Sequence, residues 1–156
     1  GLTGEVRIRH SNAMAIFATD DFEICTRLVQ GEYYKYQNMF KELPLHTVIS
    51  RKELLDAMVR AKMCTAEKCP VKFEIAGSQL GLSIKDQTTD YHETVDLQEN
   101  ISEELTIGFD ARLVIETLKA FDCDNVGISL QSPKMPMIIE AEDSDFKTIV
   151  LPVAIK

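Results

Sequence analysis

The chain has 156 residues, of which 45% are hydrophobic and 27% are charged, so it has room for one domain of ordinary size and a piece of a second. Its 25 Asp and Glu residues outnumber its 17 Lys and Arg residues, which gives a formal net charge of −8. This composition excludes a largely disordered chain and argues against a general nucleic-acid coat protein, which usually carries net positive charge. A local basic patch remains compatible with it.

The cysteines and the apolar runs indicate an intracellular protein without a membrane span. The four cysteines, Cys25, Cys64, Cys69 and Cys123, form no C-x-x-C pair, and we expect small buried side chains in a reducing cytoplasm. No run approaches the roughly 18 apolar residues of a transmembrane helix, and the start of the chain does not resemble a signal peptide. Because the chain begins without Met, we expect it to be part of a longer protein.

In the first thirty residues apolar and polar positions alternate, which predicts a meander of short strands. The candidate strands are residues 5–10, 13–18 and 22–29, with Asp20 and Asp21 in the turn between the last two. Three short strands make a poor domain by themselves. We therefore interpret them as the end of something larger.

From His46 onward the pattern predicts a strand, a helix and three further strands. Residues 47–49 form the strand, and Ser50 with Glu53 forms a capping box that opens the helix. The apolar stripe of this helix consists of Leu54, Leu55, Met58 and Ala61. The three strands that follow are residues 71–75, 80–84 and 93–97.

The same order of elements then recurs. Residues 105–109 form a strand, Asp110 is an N-cap, and a second helix carries the stripe Val114, Ile115 and Leu118. The next strands are residues 126–130, 137–140 and 147–153. A shift of 60 residues places Ser50 on Asp110, so the sequence predicts a duplicated βαβββ unit with eight strands and two helices. Because each helix has one apolar stripe, both should pack side by side on antiparallel sheets in an α+β fold.

The chemistry-bearing residues give no enzyme signature. His10, His46 and His92 each lie beside a predicted turn or strand end, without a Ser-His or Cys-His pattern, and no phosphate-binding or zinc-protease motif occurs. Acidic residues are dense in 86–104 and 140–145, where paired carboxylates could bind a metal or act as acid and base. Such runs are more often solvated loops and charged edge strands. We predict no catalytic residue, metal or cofactor, with a carboxylate-dependent enzyme as a minor alternative.

Basic residues concentrate on the two predicted helices. The first helix carries Arg51, Lys52, Arg60 and Lys62, and the second carries Arg112 and Lys119. Cations on adjacent helices can follow a phosphate backbone without reading bases. The alternative is that these are ordinary solvated helix faces.

The chain contains the segments QGEYYKY at 30–36, IGFD at 107–110 and VLPVAIK at 150–156. Together these segments resemble one known family, the bacterial sliding clamp, which is the beta subunit of DNA polymerase III. Residues 30–36, QGEYYKY, resemble the segment that links the middle and last domains, with Tyr34 where the family usually has proline. Residues 107–120, continued by 122–126, are similar to the family's IGFN segment. Residues 150–156 are similar to its terminal LP-[MV]-R-L, with Ala154 in place of arginine. The resemblance assigns residues 1–32 to the closing strands and linker of the middle domain and 33–156 to the carboxy-terminal domain.

The resemblance implies a fold and a function. Each domain in this family is a duplicated βαβββ unit whose helices line the hole of a ring and whose sheets lie outside. The implied function is that of a DNA sliding clamp, a non-catalytic processivity factor that tethers a replicative DNA polymerase to duplex DNA and docks partner peptides. A free-standing α+β protein-interaction module without a DNA role is the alternative.

It also implies partners. These are duplex DNA, contacted non-specifically through phosphates, and the polymerase catalytic subunit and clamp loader, which dock through short peptide motifs in the cytoplasm. The full-length protein is expected to be a ring homodimer in which the last domain of one subunit meets the first domain of the next. This chain shows no first domain, so we expect it alone to be largely monomeric.

Two sets of site residues follow from the resemblance. The DNA-facing candidates are the cations Arg60, Lys62, Arg112 and Lys119. The peptide-binding candidates are Tyr34, Asn38, Met39, Cys69, Asp110, Leu113, Lys134, Pro136, Ile149, Val150, Leu151, Pro152, Val153, Ala154 and Ile155. Many of these are apolar and suit an adaptable hydrophobic floor. The alternative for Leu113 and Val153 is that both are core residues.

Overall fold

A computed structural model of the protein describes residues 4–64, 69–85 and 88–155, which divide into two compact units, Gly1–Tyr36 and Gln37–Lys156. The strands are β1 (Arg7–His10), β2 (Met14–Ala18), β3 (Glu23–Arg27), β4 (Leu45–Ser50), β5 (Val71–Lys85), β6 (Asp90–Phe109), β7 (Asn125–Leu130), β8 (Met137–Ala141) and β9 (Lys147–Val150). The helices are α1 (Arg51–Cys64), α2 (Ala111–Lys119) and a short 3-10 helix (Tyr36–Met39). Residues 86 and 87, at the start of the acidic run 86–104, and residue 156 lie outside the described residues.

The first unit is a three-stranded antiparallel sheet in the order β1-β2-β3. Ion pairs join Arg7 to Asp20 at 3.1 Å and Arg9 to Glu23 at 2.7 Å across its surface. Most of its described side chains are exposed. The predicted meander is confirmed.

The second unit is a six-stranded antiparallel sheet in the order β5-β6-β4-β7-β8-β9, with the two helices in contact with each other. The buried helix residues are Leu54, Ala57, Met58 and Ala61 in α1, and Ala111, Val114, Ile115 and Leu118 in α2. Both predicted stripes are confirmed, with Leu55 half-buried at the margin. The α+β class is therefore confirmed. Neither described helix is long and apolar enough to cross a membrane.

The predicted count of eight strands in the duplicated unit is wrong, because the described residues of this unit form six. Strand β5 joins the predicted strands 71–75 and 80–84, and β6 joins 93–97 and 105–109. In β5 the connection passes through a register shift at Gly77, whose φ of 59° favours glycine. The polar residues between the predicted strands are mostly exposed and lie inside the continuous strands, at the point where the ladder between β5 and β6 is irregular.

The last predicted strand, 147–153, is also too long. Strand β9 ends at Val150, and Pro152, which has no backbone N–H, cannot donate to a ladder. Val153 instead donates its N–H to the Gly108 carbonyl of β6 at 2.8 Å. The chain therefore leaves β8 after Val150 and contacts β6 at Val153.

Both helices begin at the residues that the sequence predicts. The Ser50 hydroxyl accepts a hydrogen bond from the Glu53 N–H at 3.3 Å, and the Asp110 carboxylate accepts one from the Arg112 N–H at 2.8 Å. These bonds satisfy N–H groups that the first turn leaves without a helical partner. The start of α2 is therefore fixed directly after the end of β6.

Candidate functional site

An exposed apolar surface lies at one end of the second unit, around residues 151–155, which we call the terminal segment. Its members are 38–58% exposed, a large fraction for aliphatic side chains: Leu113, Met135, Leu151, Val153 and Ile155. Clustered exposed apolar side chains of this kind mark interaction sites in many proteins. This surface is the main candidate for binding.

Strand pairing brings the parts of this surface together. Met137 of β8 lies opposite Val150 of β9, so Pro136 and Leu151 are neighbours where the two strands end. From there the terminal segment runs to β6, where Val153 pairs with Gly108. The helix α2 begins three residues after Gly108, at Ala111, so the terminal segment connects the β7–β8 loop to the start of α2.

Cys69 belongs to the same end of the unit. Val71 of β5 lies opposite Phe109 of β6, which places Cys69, two residues earlier, near the start of α2. Its side chain is half-buried and packs against the core. Lys134 lies exposed in the β7–β8 loop.

The structure separates the remaining peptide-site candidates into several groups. Val150 is buried in the core and Ile149 is half-buried in β9. Asn38 is exposed and Met39 half-buried on the 3-10 helix. Tyr34 belongs to the other compact unit. The roles of these residues stay predictions.

Leu113 and Val153 are not core residues. Leu113 is 47% exposed although its neighbours Val114 and Ile115 are buried. This agrees with its position in α2, one residue off the apolar stripe. Both side chains are therefore available to a partner.

Asp110 serves first to begin α2. Besides capping the helix, its carboxylate holds the Arg112 guanidinium, with Nη2 and Oδ2 2.8 Å apart. These hydrogen bonds keep the pKa of Asp110 below its usual value. Arg112, a DNA-facing candidate, thus forms an ion pair with the carboxylate that caps α2.

Replacing Asp110 with alanine is expected to lower the free energy of unfolding by about 1 kcal/mol, because the cap is lost. Asp110→Asn keeps a capping oxygen but loses the charge, so it should cost less. A lowered pKa stabilises the fold above the unfolded pKa of about 3.9, and this contribution is lost as pH falls. Urea unfolding at neutral and acid pH should show the difference between wild type and Asp110→Asn shrinking in acid. A constant difference would contradict this role.

Arg60 is held by a carboxylate of β6. Its guanidinium makes two hydrogen bonds to Glu93, one from Nε to Oε2 at 3.0 Å and the other from Nη2 to Oε1. Tyr91 donates its hydroxyl hydrogen to the same carboxylate. The bonds from Arg60 lower the pKa of Glu93, and burial together with Glu93 raises the pKa of Tyr91. The positive charge of Arg60 is therefore largely neutralised within the fold.

The four DNA-facing candidates do not share one helix face. Arg60 and Lys62, two positions apart, are separated by about 200° around α1. Arg112 and Lys119, seven positions apart, return to within about 20° of each other on α2. Lys62 and Lys119 are exposed. The two cations of α2 are thus the closer pair, although the exposed Glu116 lies on the same flank and Arg112 is bound to Asp110.

Arg51 has a structural role that explains a cation in a first helical turn. Its Nε donates to the Cys123 carbonyl, and its backbone N–H donates to the Asp124 carbonyl at 2.9 Å. These bonds tie the start of α1 to the chain that follows α2. Burial raises the pKa of the Cys123 thiol beside them.

A His–Ser–Glu cluster lies on the sheet, although no local sequence motif indicates it. His46 Nδ1 lies 3.0 Å from Ser129 Oγ and 3.8 Å from Glu140 Oε1, and Glu140 also contacts Lys147 at 2.6 Å. A catalytic triad needs the hydroxyl and the carboxylate on different ring nitrogens, whereas here both face Nδ1. His46 and Ser129 are 83 residues apart, and only the pairing of β4 with β7 brings them together.

This cluster lines a groove of about 350 Å³ together with Phe40 and Leu43. Its polar groups already contact one another. In the described ranges, no group of three or more His, Cys, Asp or Glu side chains is arranged to hold a metal. The carboxylates of Glu74, Glu93 and Glu140 each contact a cation.

Comparison with known proteins identifies relatives of this chain. Residues 41–154 match the family described as the DNA polymerase III beta subunit, C-terminal domain. Similar proteins include the beta sliding clamps of Streptococcus pneumoniae serotype 4 and Vibrio cholerae serotype O1, each 26% identical over 155 residues. These matches cover 95% of this chain, which spans 41% of the length of either relative.

Solved structures have the same fold. A DNA polymerase III beta subunit of Eubacterium rectale is 26% identical with a TM-score of 0.83, over 96% of this chain and 41% of that chain. The C. crescentus beta sliding clamp has a TM-score of 0.87 at 16% identity, over 96% and 41% of the two chains. That second likeness supports the fold alone. Both agree with the α+β fold of two helices and antiparallel sheets.

Proposed function

This chain belongs to the DNA polymerase III beta-subunit family, and we propose that it is the carboxy-terminal part of a sliding clamp that docks short partner peptides. In the intact protein its role is non-catalytic and takes place in the cytoplasm. The clamp encircles duplex DNA as a ring homodimer and tethers the polymerase, while the polymerase and the clamp loader dock through peptide motifs. We expect the 156-residue chain by itself to be largely monomeric, because a head-to-tail ring contact needs two different surfaces and the chain spans 41% of its relatives' length.

The observation that carries this proposal is the exposed apolar surface around the terminal segment. Leu113, Leu151 and Val153 offer aliphatic contacts, and the terminal segment beyond β9 offers backbone groups that a bound peptide can use. A Leu or Phe anchor that becomes fully buried contributes about 1.5–3 kcal/mol. Two such anchors suit a short peptide motif.

Peptide titration followed by NMR tests the proposal. The probe is a synthetic peptide with the Leu and Phe anchors of a polymerase clamp-binding motif, and the control peptide has Asp at both anchors. We expect signals of Leu113, Met135 and residues 151–155 to shift with the probe alone. Shifts confined to other surfaces, or none, would contradict docking at this site. The variant Met39→Asp tests whether the 3-10 helix takes part.

The DNA contact proposed for this chain is weak and non-specific. It involves the flank of α2 that carries Arg112 and Lys119, with Lys62 on α1 nearby as a further candidate. Binding through phosphates should fall steeply with salt and ignore sequence. A duplex added to the isolated chain is not enclosed by a ring. Only the few cations of this surface can therefore contact its phosphates.

Replacing Glu93 with glutamine should strengthen duplex binding, because it frees the Arg60 charge from its carboxylate. One additional phosphate contact would steepen the dependence of log K on log salt by about 0.9. Glu103→Gln is the matched control, since Glu103 is an exposed acid on the same strand and the charge change is equal. Fluorescence anisotropy with a labelled duplex measures both variants. Equal effects of the two variants would show that net charge alone matters and that Arg60 makes no DNA contact.

The alternative of a free-standing interaction module is not favoured. The match of residues 41–154 to the beta-subunit family and the 41% coverage of its relatives both support part of a larger clamp.

A further inference from the structure

We propose that Gly108 is a positioning residue for the exposed apolar surface. Because Gly108 has no side chain, the terminal segment can pack directly against β6 at this position. This inference rests on the proposed peptide-docking function and names a residue that controls it. Gly108 is buried in β6, where Lys72 of β5 lies on one side and Val153 on the other. It therefore lies between the sheet and the segment that presents the apolar side chains.

The fit at Gly108 leaves no room for a methyl group. A Cβ built there would lie 2.7 Å from the Val153 carbonyl oxygen and 2.8 Å from Ile155 Cγ1. Contacts under 3.0 Å essentially never occur for real Cβ atoms. One of the two clashing atoms belongs to the backbone, so a rotamer change cannot relieve the conflict. The terminal segment itself would have to move.

The backbone conformation of Gly108 does not require glycine. Its φ is not among the positive values found at Gly4, Gly31 and Gly77, so alanine there meets no left-handed strain. Glycine is needed at this position because the backbone of the terminal segment approaches it closely. The effect of a side chain at Gly108 is therefore expected on the terminal segment rather than on β6.

The terminal segment is attached at few points. Strand β9 ends at Val150, Pro152 has no N–H, and Val153 donates to Gly108 at 2.8 Å. Displacing Val153 would break this bond and move Leu151 and Ile155 on either side of it. The apolar surface would then lose its arrangement while the core beneath it stays packed.

The experiment compares Gly108→Ala with Gly81→Ala by amide exchange and peptide affinity. Gly81 is the matched control, because it is also a buried strand glycine but a Cβ there has its nearest neighbours at an ordinary 3.5 Å. In Gly108→Ala we expect amide exchange at Val153 to accelerate about tenfold and the peptide Kd to rise about tenfold, each equivalent to about 1.4 kcal/mol. Gly81→Ala should change neither quantity.

A second measurement remains informative if Gly108→Ala is poorly folded. Ile155→Ala removes the Cγ1 atom that a Cβ at Gly108 would meet at 2.8 Å, so Gly108→Ala should cost less stability in the Ile155→Ala background than in the wild-type chain. Equal costs in the two backgrounds would overturn the proposal, because a double-mutant cycle isolates the coupling between Gly108 and the terminal segment.

The outcomes distinguish this inference from the proposed function. If wild type binds the peptide and Gly108→Ala binds it equally with Val153 still protected, the inference is wrong and the proposed function stands. If wild type binds no peptide but Gly108→Ala exposes Val153 to exchange, Gly108 does position the terminal segment and the proposed docking function is wrong. If neither effect occurs, both are wrong.

Discussion

Replacing Phe109 with alanine is expected to lower the free energy of unfolding of the second unit by about 3–5 kcal/mol. Phe109 is fully buried and packs edge-to-face on Phe73, with ring centroids 5.0 Å apart. Alanine would remove this contact and leave a cavity between β5, β6 and the start of α2. Because domains are stable by only about 5–15 kcal/mol, this is a large share of the total.

Urea unfolding measures this loss, with Leu113→Ala as the control. Leu113 lies four residues further along but is half exposed, so its truncation should change the free energy of unfolding by about 0.5 kcal/mol or less. A loss for Phe109→Ala no greater than that for Leu113→Ala would show that the aromatic pair does not form the core described here.

A charge on the apolar surface is expected to abolish most peptide binding without unfolding the protein. Leu113→Asp and Val153→Asp each place a carboxylate where an aliphatic anchor should become buried. Losing about 1.5–3 kcal/mol of burial corresponds to a rise in Kd of roughly ten- to 150-fold. Both side chains are exposed in the free chain, so circular dichroism should show little change.

Ile24→Asp is the control for this pair. Ile24 is 53% exposed on β3 of the first unit and is not among the residues assigned to the apolar surface. Its substitution should leave the peptide affinity within about twofold of wild type, a difference of about 0.4 kcal/mol. Comparable losses in all three variants would mean that added negative charge, rather than the assigned surface, governs binding.

Local signals explain what the sequence could predict. Ser50 and Asp110 begin helices through contacts with residues two or three positions away, and the buried stripes follow the helical period. The exposure of Leu113 follows from the same geometry, because it lies just off the stripe of α2. These features need no knowledge of distant chain segments.

Non-local pairing explains what the sequence could not predict. Strand β5 continues through Gly77 because β6 pairs with it both before and after that residue, although the local residues suggest a turn. The bond from Arg60 to Glu93 spans 33 residues. Such contacts depend on the order of strands in the sheet, and no local period encodes that order.

Intermolecular NOEs between a bound peptide and the methyl groups of this chain test the central claim most directly. The account predicts NOEs from the Leu and Phe anchors of the probe peptide to Leu113, Leu151 and Val153. It also predicts that they disappear in Val153→Asp. Anchor NOEs to the groove beside His46 instead, or to the first unit alone, would contradict the account.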